Sequence, residues 1–511
     1  MYMEDYQRWC SASLEDPALT RELKEIAGQE DQIKEQFAVA LKFGTAGLRG
    51  ILGAGSNRMN IYVVRQATQG LANWVKTQGG SQLVAISYDS RINSDVFAKE
   101  AACVLAANGI KVRIYDVLMP VPALSFATRY YHANAGIMIT ASHNPAEYNG
   151  VKVFTEGGRD ASKEVTNELE DYINSLTAAD VTTMDFEEAK KAGLVEIVDP
   201  MNDYIDSILS FVDINKIKAK KLKILLDPMF GVSKTSLQTI LLTCRCDVDV
   251  INDRHDTLFG GRLPSPSAKT LTRLSTMVVE GGYDLGIATD GDADRIGLID
   301  SHGAFIHPND ILVLLYYYLV KYKGWKGDCV RNIATTHLLD RLAASFGQTC
   351  YEVPVGFKWI SSKMDETGAI IGGESSGGLT VKGHISGKDG IYAAALLVEM
   401  ISVIGKPLNT ILKEIKDEYG HCEMTEFNCR FSQEKKDELN ELIFVEKKLP
   451  DFGEAIEKVS YADGCKVYFK NGGWIICRFS GTEPLIRIFC EMETYNRAME
   501  ITGIVREFLG L

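Results

Sequence analysis

The sequence has little that would suit a secreted or membrane protein. Its 11 cysteines form no CxxC pair and no zinc-ligand spacing, and an odd, dispersed set is typical of reduced thiols in a cytosol. The opening Met-Tyr-Met-Glu-Asp-Tyr lacks the basic and then apolar pattern of a signal peptide. The apolar run from 311 to 320 is too short to span a bilayer. We therefore expect a cytoplasmic protein.

Positive charge is also in deficit. The chain has 55 Lys and Arg against 68 Asp and Glu, with a net charge of −13, which argues against nucleic acid or an anionic membrane as the main partner. A small anionic substrate is not excluded, because local basic groups decide its binding. At 511 residues, with 46% apolar residues, the chain is too long for one core and predicts several domains.

Strand-like β-branched runs alternate with helical periodicity over most of the sequence. Leu83–Ser87, for example, precedes a helix-like segment, Ser94–Asn108. This alternation predicts mixed, largely parallel sheets with helices on both faces. The last ninety or so residues show a different pattern, because the strands predicted around the turn Asn471–Gly473 are antiparallel. The sequence predicts three similar mixed α/β domains, 1–200, 201–309 and 310–420, and a smaller C-terminal α+β domain, 421–511.

Ser142 stands in a Thr-Ala-Ser-His-Asn-Pro segment directly after the apolar run Ala135–Ile139. This pattern predicts a buried strand that delivers the serine into a tight loop at its carboxyl end, where α/β sheets bind ligands. Asn-Pro favours a turn and keeps the residue before proline out of helical geometry. Ser142 is therefore expected to be presented by the loop, although a serine there can also be only a turn former.

Three carboxylates, Asp290, Asp292 and Asp294, alternate in a segment between two apolar strands. They repel one another unless a cation neutralises them. Oxygen ligands suit Mg²⁺ or Ca²⁺, and Mg²⁺ usually takes a substrate phosphate as well. An EF-hand would need Gly and Glu where this chain has Arg295 and Ser301. The segment predicts a metal loop, and Arg295 beside it suits a phosphate-bearing partner.

Two glycine-containing segments could bind a sugar and an anion. In segment 372–378, Glu374 and Ser376 would point alternately into a site, and a carboxylate with a hydroxyl suits adjacent sugar hydroxyls. In segment 478–484, guanidinium, hydroxyl and backbone N–H groups can form an anion cradle. The residues concerned are Arg478, Ser480, Gly481 and Thr482, with Arg487 beyond. Each segment alone could be an ordinary loop.

Two further basic residues are consistent with a site for a phosphate-bearing substrate. Arg49 lies in the glycine-rich segment 43–50. Lys152 follows Ser142 by ten residues and can return to it across the loop. It could handle a substrate hydroxyl proton if the site lowered its pKa. The alternative for Lys152 is a solvated strand lysine.

Together, segments 140–145, 290–295, 373–377 and 478–482 resemble the motifs of the α-D-phosphohexomutases. All four occur in that family's order, so the resemblance covers essentially the whole chain. The opening Phe43–Gly50 with Asn57–Asn60 is most similar to the phosphoglucomutase branch. The resemblance implies four domains around a central cleft. It also implies reversible transfer of a phosphoryl group between the 1- and 6-positions of a hexose phosphate, from glucose 1-phosphate to glucose 6-phosphate.

The resemblance further implies residue roles. Ser142 would carry a phosphoryl group, and Mg²⁺ would be held by Asp290, Asp292, Asp294 and a phosphoserine oxygen. The sugar hydroxyl attacks, and the hexose 1,6-bisphosphate formed reorients and returns its other phosphate. Lys152 would handle the proton. The residues expected to stabilise the transferring group are Arg49, His143, Asn144 and Arg295. Those expected to contact the sugar are Lys358, Glu374 and Ser376. Those expected to hold the other phosphate are Arg478, Ser480, Gly481, Thr482 and Arg487.

Some alternatives stay open. Gly378 stands where some relatives have His, and His384 or Lys388 is the nearby substitute. The 478–484 segment resembles phosphoglucosamine mutases as much as phosphoglucomutases, so phosphomannomutase and phosphoglucosamine mutase activities remain alternatives.

Two further hypotheses place the chain in other protein classes. A phosphatase that uses Asp290 as nucleophile is opposed by the third carboxylate and the separate Ser142 loop. A non-catalytic phosphosugar-binding protein need not combine Ser142, the carboxylates and Lys152. We expect a phosphosugar partner, no nucleic acid or membrane, and a monomer or homodimer.

Overall fold

The computed structural model describes residues 2–44, 47–479 and 485–511. The chain forms two compact units. Unit 1 comprises Met1–Ile306 and Gly378–Gly405, and unit 2 comprises His307–Gly377 and Lys406–Leu511. In each unit, helices pack against β-sheets whose strand ends carry the candidate functional residues.

Unit 1 opens with three short helices that share one hydrophobic cluster. They are α1 (Tyr2–Ser11), α2 (Pro17–Glu25) and α3 (Glu30–Phe37). The Asp16 side chain accepts a hydrogen bond from Ala18 N in the first turn of α2, where Pro17 has no N–H that would need an acceptor. The helices bury Tyr6, Leu23 and Phe37 against one another.

The first sheet of unit 1 is mixed and carries the Ser142 loop. Its strands are β1 (Phe43–Gly44), β2 (Gly47–Ile51), β3 (Leu83–Tyr88), β4 (Lys111–Ile114), β5 (Ala135–Ile139), β6 (Tyr148–Thr155), β7 (Arg159–Asp160) and β8 (Val195–Ile197). Their order is β1-β2-β6-β5-β3-β4-β8, with β7 beside β6. Strand β3 is parallel to β4 and β5, whereas β6 is antiparallel to β5 and β2. Both β3 and β5 are buried throughout, as strands covered on both faces are.

Five helices accompany the first sheet. They are α4 (Ile61–Gln78), α5 (Ser94–Ala107), α6 (Val121–Tyr130), α7 (Lys163–Asn174) and α8 (Phe186–Lys191). Helix α5 confirms the helix predicted from the sequence over Ser94–Asn108. Asn60 caps α4 by accepting a hydrogen bond from Val63 N. A short 3₁₀ turn, Ala178–Asp180, lies between α7 and α8.

The second sheet of unit 1 carries the acidic loop. Its strands are β9 (Lys223–Asp227), β10 (Asp247–Val250), β11 (Leu285–Thr289), β12 (Ile296–Asp300) and β13 (Phe305–Ile306), in the order β10-β9-β11-β12-β13. Strands β11 and β12 are antiparallel, and the acidic segment connects them. The helices here are α9 (Met201–Phe211), α10 (Ile214–Lys220), α11 (Lys234–Thr243) and α12 (Thr272–Gly281), with a 3₁₀ turn at Phe259–Gly261.

The third sheet begins unit 2. Its elements are α13 (Pro308–Lys321), β14 (Cys329–Asn332), α14 (Leu338–Ser345), β15 (Cys350–Val353), α15 (Phe357–Thr367) and β16 (Ile371–Gly373). Strand β14 is parallel to both β15 and β16. The chain then returns to unit 1 with β17 (Leu379–Val381) and α16 (Gly390–Ile404), and enters unit 2 again with α17 (Leu408–Tyr419).

The last sheet is antiparallel, as predicted for the C-terminal part of the chain. Its strands are β18 (Glu423–Arg430), β19 (Ile456–Ser460), β20 (Cys465–Phe469), β21 (Trp474–Phe479) and β22 (Leu485–Met492), in the order β18-β22-β21-β20-β19. Helix α18 (Gln433–Asn440) leads into a π-helical turn, Glu441–Val445. Helix α19 (Tyr495–Leu509) packs on β22 and β18 and closes the unit.

One strand prediction is displaced. The apolar run Ala369–Ile371 predicts a strand, whereas the observed strand, β16, begins at Ile371 and includes Gly372 and Gly373. Gly372 pairs with Val330 of β14. A Cβ at Gly372 would lie 2.4 Å from Ile360 Cγ2 of α15. Close packing of α15 on the strand therefore requires glycine here.

The described residues contain neither a disulfide nor a membrane-length helix. All 11 cysteines are free thiols. No single helix in the described part of the chain is long and apolar enough to cross a bilayer, and only the broken pair α16 and α17 together reaches that length and composition.

A buried lysine joins the two sheets of unit 2. Lys466 Nζ of β20 donates hydrogen bonds to Ile333 O at 2.6 Å and to Glu352 Oε2 at 2.8 Å, and it lies 3.1 Å from His337 Nε2. Its ammonium group also lies 4.3 Å from the centre of the Trp474 ring. Burial lowers the pKa of Lys466 to about 7. This cluster makes the contact between the sheets sensitive to protonation.

The stability of unit 2 is expected to fall as the pH drops from 7 to 5. Burial, and then the Arg331 guanidinium, lower the pKa of His337 to about 3. The folded state therefore keeps His337 neutral, whereas the unfolded chain takes up a proton below about 6.5, and this costs about 2 kcal/mol of folding free energy by pH 5. The variant His337→Gln should lose less Tm over this interval in calorimetry. Equal losses for both proteins would contradict the assignment.

Candidate active site

Ser142 lies in the tight loop between β5 and β6. Its φ is +53°, in the left-handed region that few non-glycine residues adopt. Its backbone N–H donates a hydrogen bond to Thr140 Oγ1 at 2.8 Å. The side chain is buried, and its Oγ donates a hydrogen bond to Asp290 Oδ2 at 3.1 Å. The loop therefore directs the serine at the acidic segment 148 positions further along the chain.

The three carboxylates of the acidic segment converge in the β11–β12 turn. Ala293, at the tip, has φ +62°, and its N–H donates a hydrogen bond to Asp290 O at 3.1 Å. This turn brings one carboxylate oxygen each from Asp290, Asp292 and Asp294 within 4.8 Å of one another. All three side chains are buried. The spacing predicted from the sequence thus yields a compact set of oxygen ligands.

The carboxylate set fits a divalent cation. Asp292 Oδ1 and Asp294 Oδ1 are buried and have no hydrogen-bond partner among the described residues. Burial, and then the charges of the other two carboxylates, raise the pKa of Asp290 well above its ordinary value. Unused buried lone pairs and mutual repulsion are what a cation would relieve. Hard oxygen ligands suit Mg²⁺ among others.

Lys152 is one of two lysines that contact the carboxylates of the acidic loop. Lys152 Nζ donates hydrogen bonds to Asp292 Oδ2 at 2.6 Å and Asp294 Oδ2 at 3.1 Å. Burial lowers the pKa of Lys152, but Asp292 and Asp294 outweigh that effect and raise it above its ordinary value. The condition that the site lowers this pKa is therefore not met here, because Lys152 faces two carboxylates. The structure shows Lys152 as a buried ammonium group and not as a solvated strand lysine.

Lys388, and not His384, reaches the carboxylates. Lys388 Nζ lies 2.7 Å from Asp294 Oδ2. A side chain at Gly378 would meet Lys388, whose Cδ lies 2.4 Å from the position of a Cβ there. His384 Nε2 instead lies 3.0 Å from Asp389 Oδ2, in a buried aromatic pocket. Of the two candidates for the place of the family histidine, the geometry favours Lys388.

Two arginines complete the cationic ring around the carboxylates. Arg295 Nε lies 3.7 Å from Asp294 Oδ1 and 3.9 Å from Asp290 Oδ2. Arg49 of β2 donates a hydrogen bond to Asn144 Oδ1 at 3.2 Å. Burial lowers the pKa of Arg49 from its ordinary value. Arg49, Lys152, Arg295 and Lys388 together outnumber the three carboxylates.

His143 follows Ser142 and is held uncharged by its surroundings. Its Nδ1 lies 3.4 Å from Ser142 Oγ. The charge of Arg295, followed by burial and Arg49, lowers the pKa of His143 well below its ordinary value. A neutral imidazole next to Ser142 Oγ can accept or donate one hydrogen bond without adding charge.

The predicted sugar-binding residues lie in unit 2. Glu374 Oε1 accepts hydrogen bonds from Asn332 Nδ2 at 3.3 Å and from Gly356 N at 3.2 Å, and Ser376 Oγ donates to Glu374 Oε2 at 3.3 Å. Lys358, in the first turn of α15, places its ammonium 5.7 Å from the Trp359 ring centre. Glu374 is thus fixed by the segment that leads into Lys358.

The predicted phosphate-binding residues are partly within the described region. Ser480, Gly481 and Thr482 lie outside the described residues. Arg478 and Arg487 face one another directly across β21 and β22. Like charges opposite each other repel unless an anion lies near them. Arg478 Nε donates a hydrogen bond to Asp463 Oδ1 at 2.9 Å.

Sequence reasoning missed Asp463, which links these two groups within unit 2. Its Oδ2 accepts a hydrogen bond from Val355 N at 2.7 Å, beside the Gly356 N–H that holds Glu374. One carboxylate therefore ties Arg478 to the Lys358 segment. No pattern in the sequence connects positions so far apart.

Asp89 and Arg91, which contact the Ser142 loop, were missed as well. They follow β3, the parallel neighbour of β5, and both are buried. Asp89 Oδ2 accepts a hydrogen bond from Thr140 Oγ1 at 2.5 Å. Polar residues directly after a buried strand were a usable signal, because the carboxyl ends of neighbouring parallel strands meet at one edge of the sheet.

Four family descriptions match successive parts of the chain. They are phosphoglucomutase/phosphomannomutase alpha/beta/alpha domain I over 40–180, domain II over 202–303, domain III over 307–419 and the C-terminal domain over 426–507. The chain belongs to the phosphoglucomutase/phosphomannomutase family. It is therefore an enzyme of the phosphohexomutase family, and the resemblance inferred from its motifs is confirmed.

Relatives of this phosphohexomutase carry several names. A phosphoglucomutase/phosphomannomutase of Thermococcus kodakarensis is 30% identical over 90% of this chain and 96% of its own length. A phosphoglucosamine mutase of Acetivibrio thermocellus is 29% identical over 92% and 99%. A crystal structure described as that of a phosphomannomutase from Thermus thermophilus matches with a TM-score of 0.80 and 27% identity, over 93% and 100%.

The fold class of this phosphohexomutase agrees with the sequence-based prediction. Three mixed α/β domains precede a smaller C-terminal α+β domain, and the solved relative shares the fold over its whole length. The exact domain limits of 1–200, 201–309, 310–420 and 421–511 stay predictions.

Proposed function

We propose that this phosphohexomutase transfers a phosphoryl group reversibly between the 1- and 6-positions of a hexose phosphate through a phosphorylated Ser142. The hydrogen bond of Ser142 Oγ to Asp290 carries the proposal, because it joins a candidate nucleophile to the candidate metal loop. The preferred substrate would be glucose 1-phosphate, and hexose 1,6-bisphosphate would be the intermediate and activator. Glucose is favoured by the opening Phe43–Gly50 segment alone.

Charge balance at Ser142 supports phosphoryl transfer. Lys152, Lys388 and Arg295 contact the three carboxylates, and Arg49 lies close enough to Asp292 and Asp294 to feel their charge, so positive charges outnumber negative ones in this group. A phosphoryl group brings almost two negative charges at neutral pH. When bound to Asp290, Asp292 and Asp294, Mg²⁺ would supply further positive charge to the transferring group. An acidic cluster without these cations would repel a phosphate.

The chain's own residues can then perform the following steps. A sugar hydroxyl attacks phosphorus on phosphorylated Ser142, the bond from phosphorus to Ser142 Oγ breaks, and the departing serine oxygen takes up the equivalent of the proton that the sugar hydroxyl loses. Arg49, Arg295, neutral His143 and Asn144 orient the group and offset charge on its equatorial oxygens. The hexose 1,6-bisphosphate turns around, and its other phosphate is returned to Ser142 by the reverse step.

Proton transfer would involve Lys152 and Lys388. Each ammonium contacts a carboxylate of the acidic loop, at 2.6 Å for Lys152 and 2.7 Å for Lys388. In the step that returns phosphate to Ser142, an ammonium Nζ can donate its proton to the departing sugar oxygen. In the opposite direction the same Nζ accepts the proton as a neutral amine, as microscopic reversibility requires. Burial lowers the pKa of Lys152 but Asp292 and Asp294 raise it, and a cation bound to these carboxylates would offset their charge and so favour the neutral amine. Two lysines would allow the 1- and 6-hydroxyls to have separate partners.

Substrate recognition would be divided between residues of unit 2. Glu374, Ser376 and Lys358 would contact sugar hydroxyls, and Arg478 with Arg487, Ser480, Gly481 and Thr482 would hold the phosphate that is not transferred. The cross-strand pair of arginines supports an anion site. Glu374, whose carboxylate is fixed by two donors, supports a defined hydroxyl contact.

Sugar preference is tested by ³¹P NMR, which detects the 1- and 6-phosphates of every sugar in the same way. Glucose, mannose and glucosamine 1-phosphates are supplied at equal concentration with Mg²⁺ and a trace of hexose 1,6-bisphosphate. We expect conversion to the 6-phosphate in every case where the sugar binds, and the highest kcat/KM for glucose. A higher value for mannose or glucosamine would replace glucose by the phosphomannomutase or phosphoglucosamine mutase alternative. If no sugar phosphate is converted, the remaining hypothesis is a non-catalytic phosphosugar-binding protein.

Arg478→Ala and Glu374→Ala should separate phosphate binding from sugar recognition. Arg478→Ala should raise KM for glucose and mannose 1-phosphates alike, because it removes a charge-assisted contact worth about 1.5–3 kcal/mol. Glu374→Ala should change the ratio of kcat/KM between the two sugars, because they lose unequal hydroxyl contacts.

Steady-state kinetics of both variants on both sugars measures these effects. Lys470→Ala, which removes an exposed cation from the same unit, is the matched control and should leave KM unchanged. A shift in sugar preference from Arg478→Ala, with none from Glu374→Ala, would require the two roles to be exchanged.

A further inference from the structure

One buried arginine binds the backbone of the Ser142 loop at four points. Arg91 Nη2 donates hydrogen bonds to Ser142 O at 2.7 Å and Asn144 O at 2.6 Å. Its Nη1 donates to Pro145 O at 2.7 Å and Tyr148 O at 2.9 Å. The four acceptors span the whole connection from the serine to the start of β6. A single planar group therefore sets the shape of this loop.

The geometry of Arg91 leaves no room for direct phosphate binding. Both terminal nitrogens are committed to backbone carbonyls, and the side chain is completely buried. Nε lies 3.3 Å from Asp89 Oδ2, so the positive charge is balanced locally. The guanidinium also lies over the Phe259 ring, 4.9 Å from its centre. Arg91 is thus built to hold backbone and not to meet substrate.

Asp89 connects this arginine to the other side of Ser142. Its carboxylate accepts hydrogen bonds from Arg91 N at 3.0 Å and Thr140 Oγ1 at 2.5 Å. Thr140 Oγ1 in turn accepts from Ser142 N at 2.8 Å. Ser142 is therefore held through its N–H by Thr140 and through its carbonyl by Arg91. Its left-handed φ of +53° persists because both ends of the residue are fixed.

We propose that Arg91 is a positioning residue that holds Ser142 Oγ at the acidic loop in its left-handed conformation. This inference rests on the proposed function of Ser142. A shift of about 1 Å in a reacting atom can cost about 10²-fold in rate. Arg91 should therefore determine how fast the serine exchanges its phosphoryl group, with little influence on how tightly the sugar phosphate binds to the residues of unit 2.

The test is the variant Arg91→Lys, which keeps the charge beside Asp89 but cannot reach four carbonyls from one ammonium. We expect kcat to fall about 10²-fold, with KM within about threefold of the wild-type value. The rate at which glucose 1,6-bisphosphate phosphorylates Ser142 should fall by a similar factor. This rate is measured by rapid quenching and intact-protein mass spectrometry. Calorimetry of the same samples gives the fraction of folded protein, and all rates are divided by that fraction.

Arg65→Lys is the matched control. The substitution also breaks ion pairs, those of Arg65 with Glu15 and Glu100. Arg65 lies on α4 and, among the described residues, makes no hydrogen bond or ion pair with the Ser142 loop. It should lower Tm and leave kcat unchanged. If Arg91→Lys does not fold, the double variant Arg91→Met with Asp89→Asn removes both buried charges together and carries the same expectation.

The outcomes separate this inference from the proposed function. If wild-type Ser142 acquires no phosphoryl group, the proposed function fails and the inference fails with it. If wild-type Ser142 is phosphorylated but Arg91→Lys retains kcat within twofold, only the positioning role is overturned. A higher KM with unchanged kcat would also overturn it, because Arg91 would then act in substrate binding.

Discussion

Replacing Ser142 by alanine is expected to lower kcat by about 10⁴-fold or more. The described residues place no other hydroxyl in a hydrogen bond to Asp290 from a loop of the first sheet. The Thr140 hydroxyl lies 3.3 Å from Asp292 Oδ2, but it donates its shorter hydrogen bond, at 2.5 Å, to Asp89 Oδ2 and accepts one from Ser142 N. Loss of Oγ removes the atom that would carry the phosphoryl group, whereas the substrate-binding residues of unit 2 are unaffected. KM should therefore change much less than kcat.

Turnover by ³¹P NMR and the mass of the protein after incubation with glucose 1,6-bisphosphate test this prediction together. Wild type should acquire an acid-stable phosphoryl group that Ser142→Ala lacks. Ser87→Ala is the matched control, because Ser87 is buried in β3 and its hydroxyl bonds only to Met138 Sδ among the described residues. Near-wild-type turnover of pure Ser142→Ala would eliminate the assignment. A labile acyl phosphate in that variant would point to Asp290.

Removal of divalent cations is expected to abolish activity, and Mg²⁺ should restore it. Asp292→Asn should raise the Mg²⁺ concentration needed for half of full activity by at least about tenfold. This substitution keeps the shape of the side chain but removes one of three charges, and it also weakens the contact with Lys152 Nζ at 2.6 Å. Fewer negative ligands bind a hard cation less tightly.

Thermal shift in a Mg²⁺ titration gives a second measurement that does not depend on turnover. Mg²⁺ should raise the Tm of wild type by mass action, and raise that of Asp292→Asn only at higher concentration. Asp253→Asn loses an exposed carboxylate of the same sheet region, paired with Lys234, and should behave as wild type. Full activity in a thoroughly chelated sample would exclude the metal role.

Local patterns in the sequence were enough to predict the principal elements around Ser142 and the acidic loop. Strand β5 and its loop were visible because an uninterrupted apolar run ends in Asn-Pro. The acidic loop was visible because three carboxylates alternate between two apolar strands. These signals work because burial on both faces demands continuous apolar residues, and because clustered charges need a counter-ion.

Some elements gave weaker signals. Strand β18 (Glu423–Arg430) was not predicted, because it is partly exposed and its sequence EMTEFNCR lacks an apolar run. Strand β16 was placed two residues early, because glycines usually indicate a loop. Gly372 belongs to the strand, and α15 packs too closely on it for a Cβ. In both cases packing outweighed local preference.

Residue patterns along the chain are enough to assign the family, the mixed α/β architecture and the residue types that would carry phosphoryl transfer. The three-dimensional structure is needed to learn which of these residues contact one another. It joined Ser142 to Asp290 across 148 positions, chose Lys388 over His384 as the partner of Asp294, raised the pKa of Lys152, and revealed Arg91 and Asp463. The physical reason is that charge interactions and hydrogen bonds depend on distance in space, whereas sequence patterns report only neighbours along the chain.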